Sequence, residues 1–158
     1  MSSYDPDYLE EMDKQSIQAF EDMVEERAFF QDAIESSIME EYIRADKDFT
    51  NEFFHLSIWK ASTVILNGLE VQVVVDGGDK LHISYGTAGF VDFKIDPVGM
   101  TLPVKCWIHT HPFGAAYFSG TDWRTVSIWE PLMETAYVLG GPEHFGHWEQ
   151  STPNELCI

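Results

Sequence analysis

The sequence predicts an α/β fold, in which helices and short strands alternate along a chain of 158 residues. Residues 7–46 contain no Gly or Pro and are rich in helix-forming Glu, Met, Ala and Gln. Short β-branched segments such as residues 69–75 follow, bounded by turn-forming residues. The chain shows no long parallel repeat, and 44% of it is hydrophobic, which suits a packed core.

Three helices and six strands are predicted along the chain. Helices are predicted over residues 7–46, 49–66 and 123–134. Thr50 is the expected cap of the second helix, which Asn67-Gly68 ends, and Pro131 kinks or shortens the third. Besides an apolar strand that stops before Pro112, strands are predicted over residues 69–75, 81–85, 90–95, 135–139 and 145–149.

The chain is strongly acidic, with a net charge of −18. Residues 1–55 hold 16 acidic and 4 basic residues, whereas residues 56–158 hold 11 and 5. No basic patch is gathered anywhere, which excludes binding to nucleic-acid phosphates or to an anionic membrane surface. The asymmetry indicates an acidic arm on a milder domain, although adaptation to high salt would also produce acidic surfaces.

The cysteine content and the absence of targeting signals favour a cytoplasmic location. The two cysteines, Cys106 and Cys157, form no disulfide framework and suit a reducing compartment. No signal peptide and no apolar run of membrane-spanning length is visible. We expect Cys106 to pack in the core, on the strand face opposite the nearby histidines.

Polar residues with metal-binding chemistry follow the apolar strand in the pattern His-x-His-x7-Ser-x2-Asp. His109 and His111 are two residues apart, so a β-strand would present both imidazoles on one face. A carboxylate from a later element would complete three ligands and leave a fourth position for water, as in catalytic zinc sites. Ser119 and Asp122 fit one side of a helix start. The alternative is a pair of surface histidines followed by a Ser-x-x-Asp helix cap.

The same stretch resembles the signature of the JAMM (MPN-plus) family of zinc isopeptidases, which act on ubiquitin and ubiquitin-like proteins. The resemblance rests on residues 107–112, Trp-Ile-His-Thr-His-Pro, and on residues 118–122, Phe-Ser-Gly-x-Asp. It implies that His109, His111 and Asp122 hold Zn²⁺. It also implies that Ser119 helps to stabilise the tetrahedral intermediate.

The resemblance extends over about residues 50–150 and sets the expected architecture. It implies a mixed, curved β-sheet flanked by helices, with the layering of cytidine deaminases. We therefore expect an acidic helical extension over residues 1–48, a metalloprotease domain over residues 49–150 and a tail over residues 151–158. The implied substrates are conjugates of ubiquitin or a ubiquitin-like protein, and an activating protein partner is a further expectation. A non-catalytic MPN scaffold and a JAMM hydrolase with another substrate are the alternatives.

The general base expected of this family is a Glu on the strand after the first helix. Glu70 fits that position, because it begins the segment that follows the Asn67-Gly68 stop. Glu52 is the competing candidate, since its separation from His109 is more typical of the family, although its setting is helical. A carboxylate suits the role because it can accept a proton from water and pass it to the leaving amine.

Two further motifs carry weaker hypotheses. Within the first helix, an acidic lead followed by Phe30, Ala33, Ile34 and Ser37 resembles a ubiquitin-interacting motif; the alternative is an ordinary acidic amphipathic helix. A second zinc at His144 and His147 is conceivable, but turn and strand histidines are favoured because the expected Cys partner is absent. The sequence indicates no partner for His55 or His82.

Overall fold

A computed structural model describes residues 6–86 and 99–151. The chain divides into two compact units, Met1–Ser36 and Ser37–Ile158. The strand predicted over residues 90–95 lies outside the described residues, and the domain limits predicted from the sequence stay predictions. Within the described ranges, no helix is both long enough and apolar enough to cross a membrane.

The helices occur where the sequence predicts them, with corrected ends. Helix α1 covers Pro6–Arg44, and helix α2 covers Glu52–Lys60 before continuing as a π-helix over Ala61–Ile65. The prediction that Thr50 caps α2 is wrong. The side chain of Asn51 caps α2 by accepting from the Phe53 and Phe54 backbone N–H groups at 2.9 and 3.1 Å. The Thr50 hydroxyl is engaged elsewhere, because it donates to Asp48 at 2.6 Å.

Helix α3 covers Gly120–Trp129 and begins three residues earlier than predicted. It begins at Gly120 because Ser119 and Asp122 form a reciprocal capping box, which satisfies N–H groups that lack partners within the helix. It ends early because Glu130–Leu132 forms a 3-10 helix that contains Pro131.

Five strands form one open, mixed sheet in the described part of the chain. They are β1 (Val71–Val75), β2 (Leu81–Tyr85), β3 (Val104–Thr110), β4 (Met133–Leu139) and β5 (Phe145–Glu149). Their spatial order is β2-β1-β3-β4-β5; β3 and β4 are parallel and the other neighbours are antiparallel. The predicted limits of β2 and β5 are confirmed, whereas β1 begins two residues later and β4 two residues earlier than predicted.

The core occupies both faces of this sheet. On one face, Trp107 of β3 lies in a cluster with Val126 of α3 and with Ala136 and Val138 of β4. The intervening residues of β3 and β4 point to the other face of the sheet. There the rings of Tyr137 and of His55 from α2 pack with their centroids 4.8 Å apart. Cys106 is fully buried, which confirms its predicted place in the core. The fold is therefore α/β, with α2 and α3 on opposite faces of a mixed sheet.

Candidate metal centre

Three predicted ligands meet at the end of β3. His109 Nε2 lies 3.0 Å from Asp122 Oδ2, and His111 Nε2 lies 3.1 Å from the same oxygen. One donor atom from each of the three residues falls within 4.8 Å of the other two. Among the described residues this is the one such group of three or more His, Cys, Asp or Glu side chains. The arrangement brings together residues that are 13 positions apart in the sequence.

The buried end of β3 positions His109. Its ring stacks on Trp107, with centroids 4.4 Å apart and planes at 13°. The Trp107 indole N–H donates to Gln72 Oε1 at 3.0 Å, and the Gln72 amide donates to Ser84 Oγ at 3.2 Å. Gln72 of β1 lies directly opposite His109 in the antiparallel register. The sheet thus restricts the imidazole through a stacked indole that is itself hydrogen-bonded.

His111 lies one residue beyond β3 and is oriented by backbone atoms. Its N–H donates to the Leu139 carbonyl at 2.8 Å, which continues the pairing with β4. Its Nδ1 lies 2.8 Å from the Ala115 carbonyl oxygen. A carbonyl only accepts, so Nδ1 carries the hydrogen, and Nε2 of the neutral ring presents its lone pair towards Asp122. This contact selects the tautomer that a metal ligand needs.

The start of α3 delivers the carboxylate. Ser119 Oγ accepts from the Asp122 N–H at 3.1 Å, and Asp122 Oδ2 accepts from the Ser119 N–H at 2.9 Å. The Ser-x-x-Asp segment is therefore a helix cap, as the structural alternative predicted, and it also carries Asp122 to the histidines. Because Ser119 Oγ acts as an acceptor in the cap, its hydroxyl hydrogen stays available to a substrate atom.

The electrostatics favour the metal-binding protonation state at His109 and Asp122, whereas the carboxylate of Asp122 favours the protonated ring at His111. Burial lowers the pKa of His109 despite the nearby carboxylate, which favours the neutral imidazole. Burial opposes ionisation of Asp122, but the two imidazoles and the Ser119 N–H together hold its pKa well below the usual range. Burial also lowers the pKa of His111, yet Asp122 outweighs it and the net shift is upward.

The donor set fits a metal ion. His109 is 1% exposed, and neither ring nitrogen makes a well-oriented hydrogen bond among the described residues, although Nε2 lies 3.0 Å from Asp122 Oδ2. A buried polar atom without a partner is costly, and metal coordination would satisfy one of these two. Two imidazoles and one carboxylate on a partly open cavity match the donors of catalytic zinc sites. The described residues therefore contain a group that could hold a metal ion.

A cavity of about 350 Å³ opens onto this group. Glu70 and Ser119 line it together with the three predicted ligands. Glu70 immediately precedes β1 and is only 4% exposed. Glu52, the alternative base, lies exposed in the first turn of α2 and does not line the cavity. The remaining lining residues are Pro112, Phe113, Ala115, Tyr117 and Thr121.

The other predicted site residues lie elsewhere. On α1, Phe30, Ala33 and Ser37 are exposed and Ile34 is buried. Exposed His144 and His147 belong to no such metal-binding group among the described residues.

Two histidines for which the sequence indicated no partner have one in the structure. His55 Nε2 lies 2.6 Å from the Phe49 carbonyl oxygen. His82 Nε2 lies 2.9 Å from Asp76 Oδ2. Neither ring faces the cavity that holds the three predicted ligands.

Sequence reasoning missed the residues that orient the predicted ligands. Gln72 acts on His109 through Trp107, and the Ala115 carbonyl acts on His111 directly. A buried tryptophan signals that its N–H needs an acceptor, but the sequence does not say which residue supplies it. The acceptor lies 35 positions away, on a strand whose register only the folded sheet defines.

Comparisons with protein-family models, with curated protein sequences and with solved structures gave no significant match. A function for this chain is therefore supported by its own residues and by the motif resemblance described above.

Proposed function

We propose that this protein is a zinc-dependent hydrolase that cleaves the isopeptide or peptide bond between ubiquitin, or a ubiquitin-like protein, and its target. The observation that carries the proposal is the single cavity onto which His109, His111 and Asp122 open beside the Glu70 carboxylate. A scaffold has no need for a near-buried carboxylate next to a three-ligand group. The resemblance of residues 107–122 to the JAMM signature supports the choice of substrate class.

The roles of the residues follow from their placement. Zinc held by His109, His111 and Asp122 would act as a Lewis acid and would lower the pKa of a water molecule. The Glu70 carboxylate accepts the proton of the attacking water and returns it to the departing lysine amine. The Ser119 hydroxyl donates to the carbonyl oxygen as negative charge develops there, and a donor of this kind contributes roughly 3 kcal/mol.

The first test measures zinc in purified protein, with wild type beside the double variant His109→Ala/His111→Ala. We expect about one zinc ion per chain in wild type and its loss in the variant, because two of three ligands are removed. Zinc absent from well-folded wild type would refute the enzyme and move the non-catalytic MPN scaffold to first place.

The second test separates catalysis from metal binding. Glu70→Gln should keep zinc and lose turnover of ubiquitin or ubiquitin-like conjugates, because the amide cannot accept the proton. Glu52→Gln is the matched control, since Glu52 is exposed and outside the cavity, and it should keep full turnover. Equal activity of wild type and Glu70→Gln would remove Glu70 from the role. Zinc binding without cleavage of any such conjugate would favour a JAMM hydrolase with another substrate.

We further propose that α1 binds ubiquitin or a ubiquitin-like protein through its motif. Ala33 and Ser37 are exposed one helical turn apart, and Phe30 is 46% exposed on the preceding turn. Ala33→Arg should abolish binding of monoubiquitin, measured by calorimetry, because the long side chain fills the notch left by alanine. Equal binding by wild type and Ala33→Arg would exclude this surface.

A further inference from the structure

A chain of buried hydroxyl groups crosses from the metal-binding strand to the segment that carries Glu70. The Val71 N–H donates to Thr110 Oγ1 at 2.9 Å, and the Thr110 hydroxyl donates to Ser62 Oγ at 2.8 Å. The Ser62 hydroxyl then donates to the Leu69 carbonyl at 2.6 Å. Each hydroxyl both accepts and donates, and hydrogen bonds in such a chain polarise and strengthen one another.

This chain of hydrogen-bonded hydroxyl groups, called the hydroxyl relay below, is anchored on both sides of one residue. Its two ends are backbone groups of Leu69 and Val71, so Glu70 lies between the two anchored positions. The Glu70 carbonyl is held as well, because it accepts from the Gly86 N–H at 3.0 Å. Few backbone motions remain that could shift the Glu70 Cα relative to the sheet.

The relay also ties Glu70 to the metal ligands. Thr110 stands between His109 and His111 in the sequence, and its side chain alternates to the opposite face of β3. The β1–β3 register pairs Gln72 with His109. Extending this antiparallel register by two residues, back along the β1 side and forward along the β3 side, would bring Glu70 opposite His111. The Thr110 hydroxyl therefore anchors the base segment to the same short stretch that presents both imidazoles.

The remaining member, Ser62, comes from the π-helix at the end of α2. The Ser62 carbonyl accepts from the Gly68 N–H at 2.8 Å. Ser62 therefore holds the backbone at both Gly68 and Leu69. Asn67 and Gly68 adopt positive φ angles of 54° and 95°, which turn the chain back towards β1. Ser62 and Thr110 are both fully buried. π-Helical turns occur frequently at functional sites, where the extra residue redirects a side chain.

We propose that Ser62 and Thr110 are positioning residues for the Glu70 general base. Their hydroxyl relay holds the Leu69–Val71 backbone at the distance from His109 and His111 that proton transfer requires. The inference rests on the proposed function for its catalytic consequence, whereas the backbone anchoring is independent of it. Neither hydroxyl contacts a metal ligand's donor atom, so their removal should spare metal binding.

The catalytic test uses Thr110→Val, which keeps the side-chain shape and removes the hydroxyl, together with Ser62→Ala. Each variant should bind Co²⁺ within about threefold of wild type, read from the visible spectrum of the bound ion. Each should lower kcat on a ubiquitin or ubiquitin-like conjugate by roughly 100-fold with little change in KM, because small misplacements of a catalytic group are costly. Thr110→Ser keeps a hydroxyl and should restore most of the lost kcat.

A double-variant cycle separates positioning from general damage to the fold. In a Glu70→Gln background the base is already absent, so adding Thr110→Val should change the residual rate by less than about twofold. An equal loss of rate in both backgrounds would overturn the proposal, because the hydroxyl would then act on something other than Glu70. Loss of Co²⁺ binding in a folded Thr110→Val or Ser62→Ala variant would overturn it as well.

Amide hydrogen exchange provides a readout that needs no substrate. The Val71 amide should exchange roughly tenfold faster in Thr110→Val than in wild type, because the hydrogen bond that protects it is lost. Unchanged protection at Val71 would refute the anchoring, whatever the activity. Faster exchange in the variant, together with no cleavage by wild type, would keep the anchoring and reject the proposed reaction.

Discussion

The close contact between Gly140 and the loop after His111 allows a sharp test of the proposed metal centre. Gly140 follows β4, and a Cβ added there would lie 2.5 Å from the Ala116 nitrogen and 2.8 Å from the Ala115 carbonyl carbon. Both are backbone atoms, so no side-chain rotation relieves the clash. In Gly140→Ala the loop at Ala115 and Ala116 must therefore move away from the sheet.

The size of the movement follows from these distances. Ordinary contacts begin at 3.4 Å, so the Ala116 nitrogen must shift by about 0.9 Å. The Ala115 carbonyl accepts from His111 Nδ1 at 2.8 Å, and a comparable shift would stretch this bond beyond about 3.2 Å. The His111 tautomer and ring orientation would then be less defined. Loss of such a supporting contact typically costs about 10- to 100-fold in metal affinity.

The assay titrates the metal-free protein with Zn²⁺ in competition with a chromophoric chelator. Gly140→Ala should bind zinc about 10- to 100-fold more weakly than wild type and should lose about 1–3 kcal/mol of unfolding free energy from overpacking. Gly120→Ala is the matched control, because a Cβ there meets no atom within 4 Å. This control lies at the first position of α3 and should keep both metal affinity and stability.

Either of two results would refute the reasoning. If Gly140→Ala is destabilised but binds zinc as tightly as wild type, the Ala115 carbonyl does not control His111. If both alanine variants lose affinity equally, the effect does not come from the contact at Gly140.

Two other predictions concern buried polar side chains on the two faces of the sheet. Gln72→Leu removes the acceptor of the buried Trp107 N–H and should lower the unfolding free energy in urea by about 1–3 kcal/mol, whereas an unchanged midpoint would show that this contact is dispensable. Burial lowers the pKa of His55, so as the pH falls through the ordinary histidine range the unfolded chain takes up more protons there than the folded chain does. The stabilising contribution of neutral His55 is complete above about pH 6.5 and is lost as the pH falls through the folded pKa, by at most about 1.4 kcal/mol per pH unit. His55→Gln should flatten the stability profile between pH 7 and pH 5, and parallel profiles for the two proteins would contradict this.

Much of the fold follows from local patterns. The short apolar run before Pro112 predicted that His109 and His111 lie at the end of a strand, and the structure brings both to Asp122 there. The helix limits needed correction wherever capping decided them. Asn51, and not Thr50, caps α2 because its side chain reaches two free N–H groups. The capping box of Ser119 and Asp122 makes α3 begin earlier than predicted. A capping side chain competes with its neighbours over distances that periodicity does not resolve.

Choosing between Glu70 and Glu52 illustrates the limit of the sequence. Both lie upstream of the histidines, and spacing alone left each as a candidate base. The antiparallel pairing of Gln72 with His109 carries Glu70 into the cavity, whereas α2 leaves Glu52 on the surface.

The sequence by itself determined the candidate metal ligands, the strand that presents two of them and the α/β class, because these depend on residues close together in the chain. The tertiary structure decided which carboxylate faces the site and which atoms orient each imidazole. It also decided how Ser62 and Thr110 anchor the backbone on either side of Glu70. These choices depend on strand register and on contacts between residues 35 to 48 positions apart, which only the packed sheet brings within reach.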